Sequence, residues 1–312
     1  MVTQLQAKER ILVIGSGGIA CLYGALLHKA GWQVEMVARS DHEVIRTHGI
    51  HIDSVLGDLS FRPARVYASV AEAGAADWIL LCVKMLDGID LPALVAPAMG
   101  AHTRLCLIAN GIEVEAPLAA AFPHNPLISG VAFVCTSRVA PGRIEHTAFG
   151  RLLLGSYPDG ASDDCQQLAA AFASTGIKAG VSNNITLERW KKSLWNASFN
   201  PLSVLTNGAD TGVLLGTPQA EQLARSIMAE VIEVAATQGH ELPASLIESN
   251  LDNTRAMPPY LTSMALDYLA NRPIELDALV GRIVHHADAQ ELAIPHLRTV
   301  YQLLRLRQPH RG

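Results

Sequence analysis

Short apolar runs alternate with longer amphipathic stretches through the first half of the chain. Arg10 to Ile14, Gln33 to Ala38, Trp78 to Val83 and Thr103 to Ile108 read as strands. The last two are almost continuously apolar, as strands buried on both faces of a parallel sheet require. Cys21 to Ala30 has a helical pattern. So does Leu91 to Met99, although Pro92 and Pro97 limit its length. Alternating strands and helices predict a doubly wound open sheet. From Asn125 to Tyr157 the pattern becomes strand after strand: Leu127 to Cys135, Gly142 to Thr147 and Arg151 to Leu154. These are expected to extend the sheet at its far edge.

Beyond about Gly180 the period changes to that of helices. Thr186 to Leu205, Gln219 to Gln238, Ala244 to Asn253, Ser263 to Ala270, Leu276 to Glu291 and His296 to Leu306 are the predicted segments. Positions 276, 279, 280, 283, 284 and 287 are apolar, which makes one stripe on a helix. The expected architecture is an α/β N-terminal Rossmann-type domain with an extended sheet, residues 1–182, and an all-α C-terminal domain, residues 183–312.

The first strand runs directly into Gly15-Ser16-Gly17-Gly18-Ile19-Ala20 and then a helix. A strand, a glycine turn and a helix in that order cradle a pyrophosphate. Gly15 permits the tight turn, Gly17 lets the anion approach the backbone, and the first free N–H groups and the helix dipole face it. Ala20 stands where a third glycine is usual, and that site needs only a small residue. A dinucleotide is therefore the expected cofactor. Arg39 and Ser40 follow the second strand. An arginine there suits a 2′-phosphate, because its planar fork matches phosphate geometry. This reads as NADP(H). The rival reading is NAD, with Glu35 or Asp41 holding the ribose hydroxyls, but Glu35 lies inside the strand and Asp41 begins the next helix.

Lys192, Asn196 and Asn200 fall at i, i+4 and i+8 and form one stripe, drifting about 80° over the span. Trp195, Leu194, Ala197 and Phe199 beside them want a core, so the three polar groups need partners or a wet cavity. A lysine so placed can protonate a ketone oxygen as hydride arrives. The alternative is a solvated face with Lys191 and Lys192 exposed. Asn110 follows an apolar strand, where open α/β sheets bind ligands, or it belongs to a simple Asn-Gly turn. Glu275 opens a long helix, where an acid also serves the dipole, and Ser263 has the alternative role of an N-cap.

The chain has 312 residues and a formal net charge of −5, without a basic field for nucleic acid. No apolar run reaches the roughly 18 residues that a membrane span needs. Met1 to Glu9 lacks a signal-peptide core, and the five cysteines are scattered through apolar runs. A cytoplasmic protein is expected. No C-x-x-C or H-E-x-x-H spacing occurs, and adjacent His285 and His286 diverge on a helix, so no metal is expected. The apolar stretches of the C-terminal helices can bury within one chain or against a second copy, which leaves a homodimer open.

Taken together, Gly15 to Ala20, Cys82-Val83-Lys84, Asn110-Gly111, Lys192-Ser193-Leu194-Trp195-Asn196 with Asn200-Pro201, Ser263-Met264 with Asp267, and Asn271-Arg272-Pro273-Ile274-Glu275-Leu276-Asp277 resemble the ketopantoate reductases (2-dehydropantoate 2-reductases). That family lies in the 6-phosphogluconate-dehydrogenase-like superfamily. The resemblance covers nearly the whole chain. It implies that Lys192 is the general acid and that Asn196, Asn200 and Ser263 contact the hydroxyl and carboxylate of a small 2-oxo acid. It implies that Glu275, a second catalytic residue, grips the substrate's terminal hydroxyl or the nicotinamide-side ribose. Asn110 would touch that ribose and the substrate and help position Lys192. Arg39 and Lys84 would clamp the 2′-phosphate. The implied reaction is NADPH-dependent reduction of 2-dehydropantoate to (R)-pantoate. Tyr260 departs from the family, where many members have asparagine. Asn207 and Asp210 are both candidates for a further polar contact. Paralogous reductases of other 2-oxo acids and a non-catalytic NADP-binding sensor are the alternatives.

Overall fold

The structure, a computed structural model, describes residues 9–307. It divides into two compact units. The first contains the described residues through Lys84, Asp90–Ala109 and Glu115–Ile185; the second contains Met85–Ile89, Asn110–Val114 and the described residues from Thr186 onward. Two short segments from the N-terminal half thus pack with the helices, which contiguous halves split near residue 182 do not include.

The first unit is a mixed sheet of β1 (Arg10–Ile14), β2 (Gln33–Val37), β3 (Ile50–Ser54), β4 (Leu59–Phe61), β5 (Val66–Tyr67), β6 (Trp78–Leu81), β7 (Arg104–Ile108), β8 (Leu127–Ala140), β9 (Arg143–Ser156) and β10 (Ala179–Val181). The order is β4-β3-β9-β8-β7-β6-β1-β2-β5, with β10 alongside β9. From β8 to β5 every pairing is parallel. The apolar runs explain this: β1, β6 and β7 are buried on both faces. All strand C-termini in this parallel set share one edge, the edge at which such sheets bind ligands.

Two expectations needed correction. Gly142 to Thr147 and Arg151 to Leu154 are one strand, β9, bent by bulges against β8, with Phe149 and Gly150 at φ +67° and +118°. Nor do β8 and β9 form the edge. β3 pairs with β9 beyond them, and β4 ends the sheet. The Ile50–Phe61 hairpin supplies that edge, and its short strands carry little period of their own. The helix Gly18–Lys29 shows why the sheet curls. Ala20 to Leu27 are all buried, so the helix needs cover on every side. It packs on β1 and β2 and also on β3, β4, β8 and β9. Gly24 lies on the packed face, where a Cβ would be in ordinary contact, 3.6 Å from both Val13 and Phe61.

The second unit is helical around Ile185–Leu205, with Thr211–Gly216, Pro218–Thr237, Ser245–Arg255, Ser263–Leu269, Arg282–Ala289 and Pro295–Arg307 about it. Trp190, Leu194, Phe199, Val231, Leu279, Ile283 and Leu297 belong to one core. The expected helix from Leu276 to Glu291 opens with a π-helical turn, Asp277–Gly281. A Cβ on Gly281 would come within 2.4 Å of Asp277 Oδ1, so a larger residue there would displace that carboxylate. Among the described residues no helix is long and apolar enough to cross a membrane.

Gly15 sits at φ +122°, and a Cβ on it would lie 2.4 Å from the carbonyl oxygen of Cys82, a rigid backbone atom. Gly15→Ala should therefore cost about 2–4 kcal/mol, from overpacking and backbone strain together. Thermal unfolding of wild type and variant measures this. An unchanged midpoint would show that the turn has room to relax.

Candidate active site

The glycine turn presents an open face. Gly15 N donates to Val37 O at 3.1 Å, which pins the end of β1 to β2. Gly17 is the helix N-cap; no side chain caps it, and the first turn carries no acid. A Cβ at Gly17 would meet nothing within 4 Å, so the bare backbone faces space of a kind an anion can enter. Gly18 is different. A Cβ there would come 2.8 Å from Thr136 Oγ1, so its glycine serves packing against β8. Ser16 and Ile19 flank this pair, and Ala20 is fully buried.

Arg39 is exposed just past β2 and makes no ion pair among the described residues. Lys84 is exposed just past β6. β6 and β2 both flank β1 in parallel, so the strand ends that precede the two cations lie on either side of the glycine turn, about 10 Å apart at ordinary strand spacing. The candidate ribose acids are otherwise engaged. Glu35 is buried and receives Arg10 Nη2 at 2.8 Å and the Tyr67 hydroxyl at 3.0 Å. Asp41 is fully buried, receives the Ser40 hydroxyl at 2.7 Å and pairs with Arg138.

In the helical unit, Lys192 Nζ donates to Asn110 Oδ1 at 2.7 Å. The Asn110–Val114 segment is clamped behind that contact. Arg189 donates to Gly111 O at 3.1 Å, and Arg282 donates to Ile112 O at 2.7 Å. Gly111 is at φ +106°, where a Cβ would lie 2.6 Å from Ala278 O. Asn110 is thus a positioned acceptor rather than a loose turn residue, and Lys192 is not a solvated lysine.

The rest of the stripe grades from open to closed. Asn196 is 5 % exposed and Asn200 1 %. Asn200 Nδ2 donates to Asn196 Oδ1 at 3.3 Å, and Asn200 Oδ1 accepts from Met264 N at 3.2 Å. Asn200 therefore ties the central helix to the start of Ser263–Leu269. The N-cap of that helix is Thr262, whose hydroxyl accepts from Ala265 N at 3.2 Å. Ser263 is exposed one position later, so the capping alternative for Ser263 does not hold. Tyr260 stacks on Trp195, ring centroids 6.0 Å apart and nearly parallel, and Trp195 stacks on Phe199. Asn207 ends the central helix at φ +57° and takes Arg307 on Oδ1 at 2.7 Å. Asp210 caps Thr211–Gly216 by accepting from Val213 N at 2.8 Å. Both have structural work.

Glu275 lies one residue before its helix, and its Oε1 accepts the Met85 N–H at 2.8 Å. It thereby fastens the Met85–Ile89 segment that follows Lys84. In the same segment the Asp87 carboxyl is pushed up, first by burial and then by the neighbouring Asp277 carboxylate.

A family model described as ketopantoate reductase PanE/ApbA matches residues 11–159, and the model of that family's C-terminal domain matches residues 184–308. The chain belongs to the ketopantoate reductase family. A curated relative, the 2-dehydropantoate 2-reductase of Nostoc sp., is 32 % identical over 96 % of this chain and 95 % of its own. Among solved structures, a 2-dehydropantoate 2-reductase from Methylococcus capsulatus is 47 % identical with TM-score 0.89, covering 96 % of each chain. One from Geobacter metallireducens is 29 % identical with TM-score 0.90, covering 96 % of this chain and 100 % of the other. The family fold, a curled mixed sheet followed by a helical domain, is the fold described above.

Asn200→Ala would leave the buried Met264 N–H without its acceptor and should cost about 1–3 kcal/mol. Ser263→Ala should leave stability within about 0.5 kcal/mol, as surface substitutions usually do. Chemical unfolding of both variants tests this. If Asn200→Ala unfolds like wild type but binds substrate poorly, Asn200 is a ligand contact instead.

Proposed function

We propose that this protein is an NADPH-dependent 2-dehydropantoate 2-reductase that forms (R)-pantoate. The observation that carries the reading is the lysine ammonium held 2.7 Å from the Asn110 carbonyl oxygen, in line with Asn196. The Nostoc and Methylococcus proteins carry the same activity in their names, which supports it.

The residues present suit the cofactor. The uncapped, acid-free turn at Gly15 to Ile19 would hold the pyrophosphate through backbone N–H groups. Arg39 and Lys84 would hold the 2′-phosphate. The preference for NADPH over NADH is supported by Glu35 and Asp41 being occupied elsewhere. Asn110 and Glu275 would meet the nicotinamide-side ribose. When bound, NADPH supplies a hydride to the C2 carbonyl carbon of the substrate. Lys192 donates the proton that the resulting alkoxide oxygen takes up, and Asn110 holds the ammonium in place for it. Asn196 and Ser263 orient the substrate's hydroxyl and carboxylate, and Asn200 holds both of their helices in register. Cys21, Cys82 and Cys165 are buried free thiols. Burial pushes Cys21 up to about 12 and Cys165 up to about 11. They act as inert core groups, which suits a reducing cytoplasm.

A second reading is favoured by Tyr260. Its ring covers Trp195 beside the substrate-side residues, and an aromatic surface there suits a bulkier apolar 2-oxo acid. A panel of 2-oxo acids, scored by loss of NADPH absorbance, separates the two. Turnover of 2-dehydropantoate above the others is expected. Turnover of only other acids would transfer the assignment to them, and turnover of none would leave a binding protein.

Lys192→Ala should lower kcat by about 10²–10⁴-fold, the usual worth of a general acid, with NADPH affinity retained. Steady-state kinetics alongside NADPH titration checks this. Unchanged kcat would remove Lys192 from the chemistry.

A further inference from the structure

The geometry points to Arg138 as a specificity-determining residue for the coenzyme's 2′-phosphate, held in place by Asp41. The inference rests on the NADPH reading and adds a residue that the glycine turn and Arg39 do not reveal.

β8 pairs with β7 only from Leu127 to Gly130. The residues from Val131 to Ala140 run on with β9 as their strand partner. At about 3.3 Å per residue that is an arm of roughly 30 Å. It curls back over the ligand-binding edge. Thr136 abuts Gly18, at the first turn of the helix that follows the glycine loop. Thr136, Ser137 and Arg138 pair in regular register with His146, Glu145 and Ile144, so Thr136 and Arg138 share a face. The strand that packs on the pyrophosphate turn therefore places Arg138 two residues further along the same rim.

There Arg138 meets the residues that follow Arg39. Its Nη1 donates to Asp41 Oδ1 and, at 3.3 Å, to the Ser40 hydroxyl. Only one corner of the guanidinium is used. Nε and Nη2 make no hydrogen bond to any described residue, and the side chain is 37 % exposed. Asp41 is fully buried, and its Oδ2 has no partner. A buried carboxylate with a single cationic partner grips that partner firmly, since losing it would strand the charge. Asp41 therefore fixes one corner of the fork and leaves the outer edge pointing away. A planar fork with two spare N–H donors is the group suited to a phosphate dianion. Arg39 on the β2 side and Arg138 on the β8 side would then take the 2′-phosphate from two directions, with Asp41 as the positioning residue.

The test is equilibrium titration of the full chain with NADPH, NADH, adenosine 2′-monophosphate and adenosine 5′-monophosphate. Arg138→Ala should weaken NADPH and adenosine 2′-monophosphate about tenfold, the worth of a partly exposed charged hydrogen bond, and the other two by under about twofold. Arg138→Lys keeps a charge against Asp41, so it protects the fold, but it lacks the fork and should lose most of the same preference. Asp41→Asn should lose part of it, again only for the two 2′-phosphorylated ligands. Equal losses for NADPH and NADH, or no loss for NADPH in Arg138→Lys, would overturn the assignment. Arg39→Ala separates the two readings. If it abolishes a wild-type preference for NADPH and the Arg138 variants do not, this inference fails alone. If the wild type binds NADH as well as NADPH, both fail.

Discussion

The hydrogen bond from Lys192 to Asn110 sets the terms for the rest of the site. A lysine side chain is long and loses much rotamer freedom when it is held. It stays held only if its acceptor does not move. The Asn110–Val114 segment meets that condition through contacts on several sides. Two arginines from different helices take its carbonyls, Gly111 packs against the π turn, and His286 lies 3.0 Å from Glu113. The loop that carries the acceptor is thereby part of the helical unit, although the strand before it belongs to the sheet. A reaction that needs an ammonium in one place requires this kind of support, because small displacements of a catalytic group cost rate steeply.

In the first unit the governing constraint is a helix that is apolar on all sides. Ala20 to Leu27 leave no polar face, so an open sheet with one free face would leave part of the helix wet. The long hairpin of β8 and β9, joined by β3 and β4, closes over it. The same closure has a consequence for chemistry. It carries Thr136 to the glycine turn and Arg138 to Asp41, neither of which a flat parallel sheet would bring near β1 and β2. One bend of the chain both covers the helix and brings Arg138 to Asp41.

Much of this was legible in the sequence, and what was legible was local. The glycine turn, the buried strands and the 3.6-residue period of the C-terminal helices each lie within one stretch of chain. The family resemblance rests on the same kind of short blocks. The unread features depend on partners far away. Nothing in Gly142 to Leu154 says that two apolar patches are one strand, because continuity there depends on bulges against β8. The hairpin from Ile50 to Phe61 alternates too briefly to announce its place at the sheet edge. Arg138 looks like any surface arginine until Asp41 is found beside it. The π turn at Asp277–Gly281 keeps a helical period, and only the crowding of Gly281 against Asp277 gives it away.

The stripe on the central helix shows where sequence pattern stops. Lys192, Asn196 and Asn200 occupy equivalent places on one helix face, yet their surroundings assign them different work. A buried amide must find partners for both its oxygen and its nitrogen. Asn200 finds them in Met264 N and Asn196 and so links two helices. That commitment, with the Thr262 cap, sets where Ser263 stands. Tyr260 lies outside it, in the loop before the cap. Its backbone is tied on both sides to Thr211, by Tyr260 N to the Thr211 hydroxyl at 3.2 Å and Thr211 N to Tyr260 O at 3.1 Å. Its side chain can therefore change without moving Ser263 or the lysine. The loop that carries the Tyr260 ring is thus anchored through its own backbone, apart from the hydrogen bonds that fix Ser263 and Lys192.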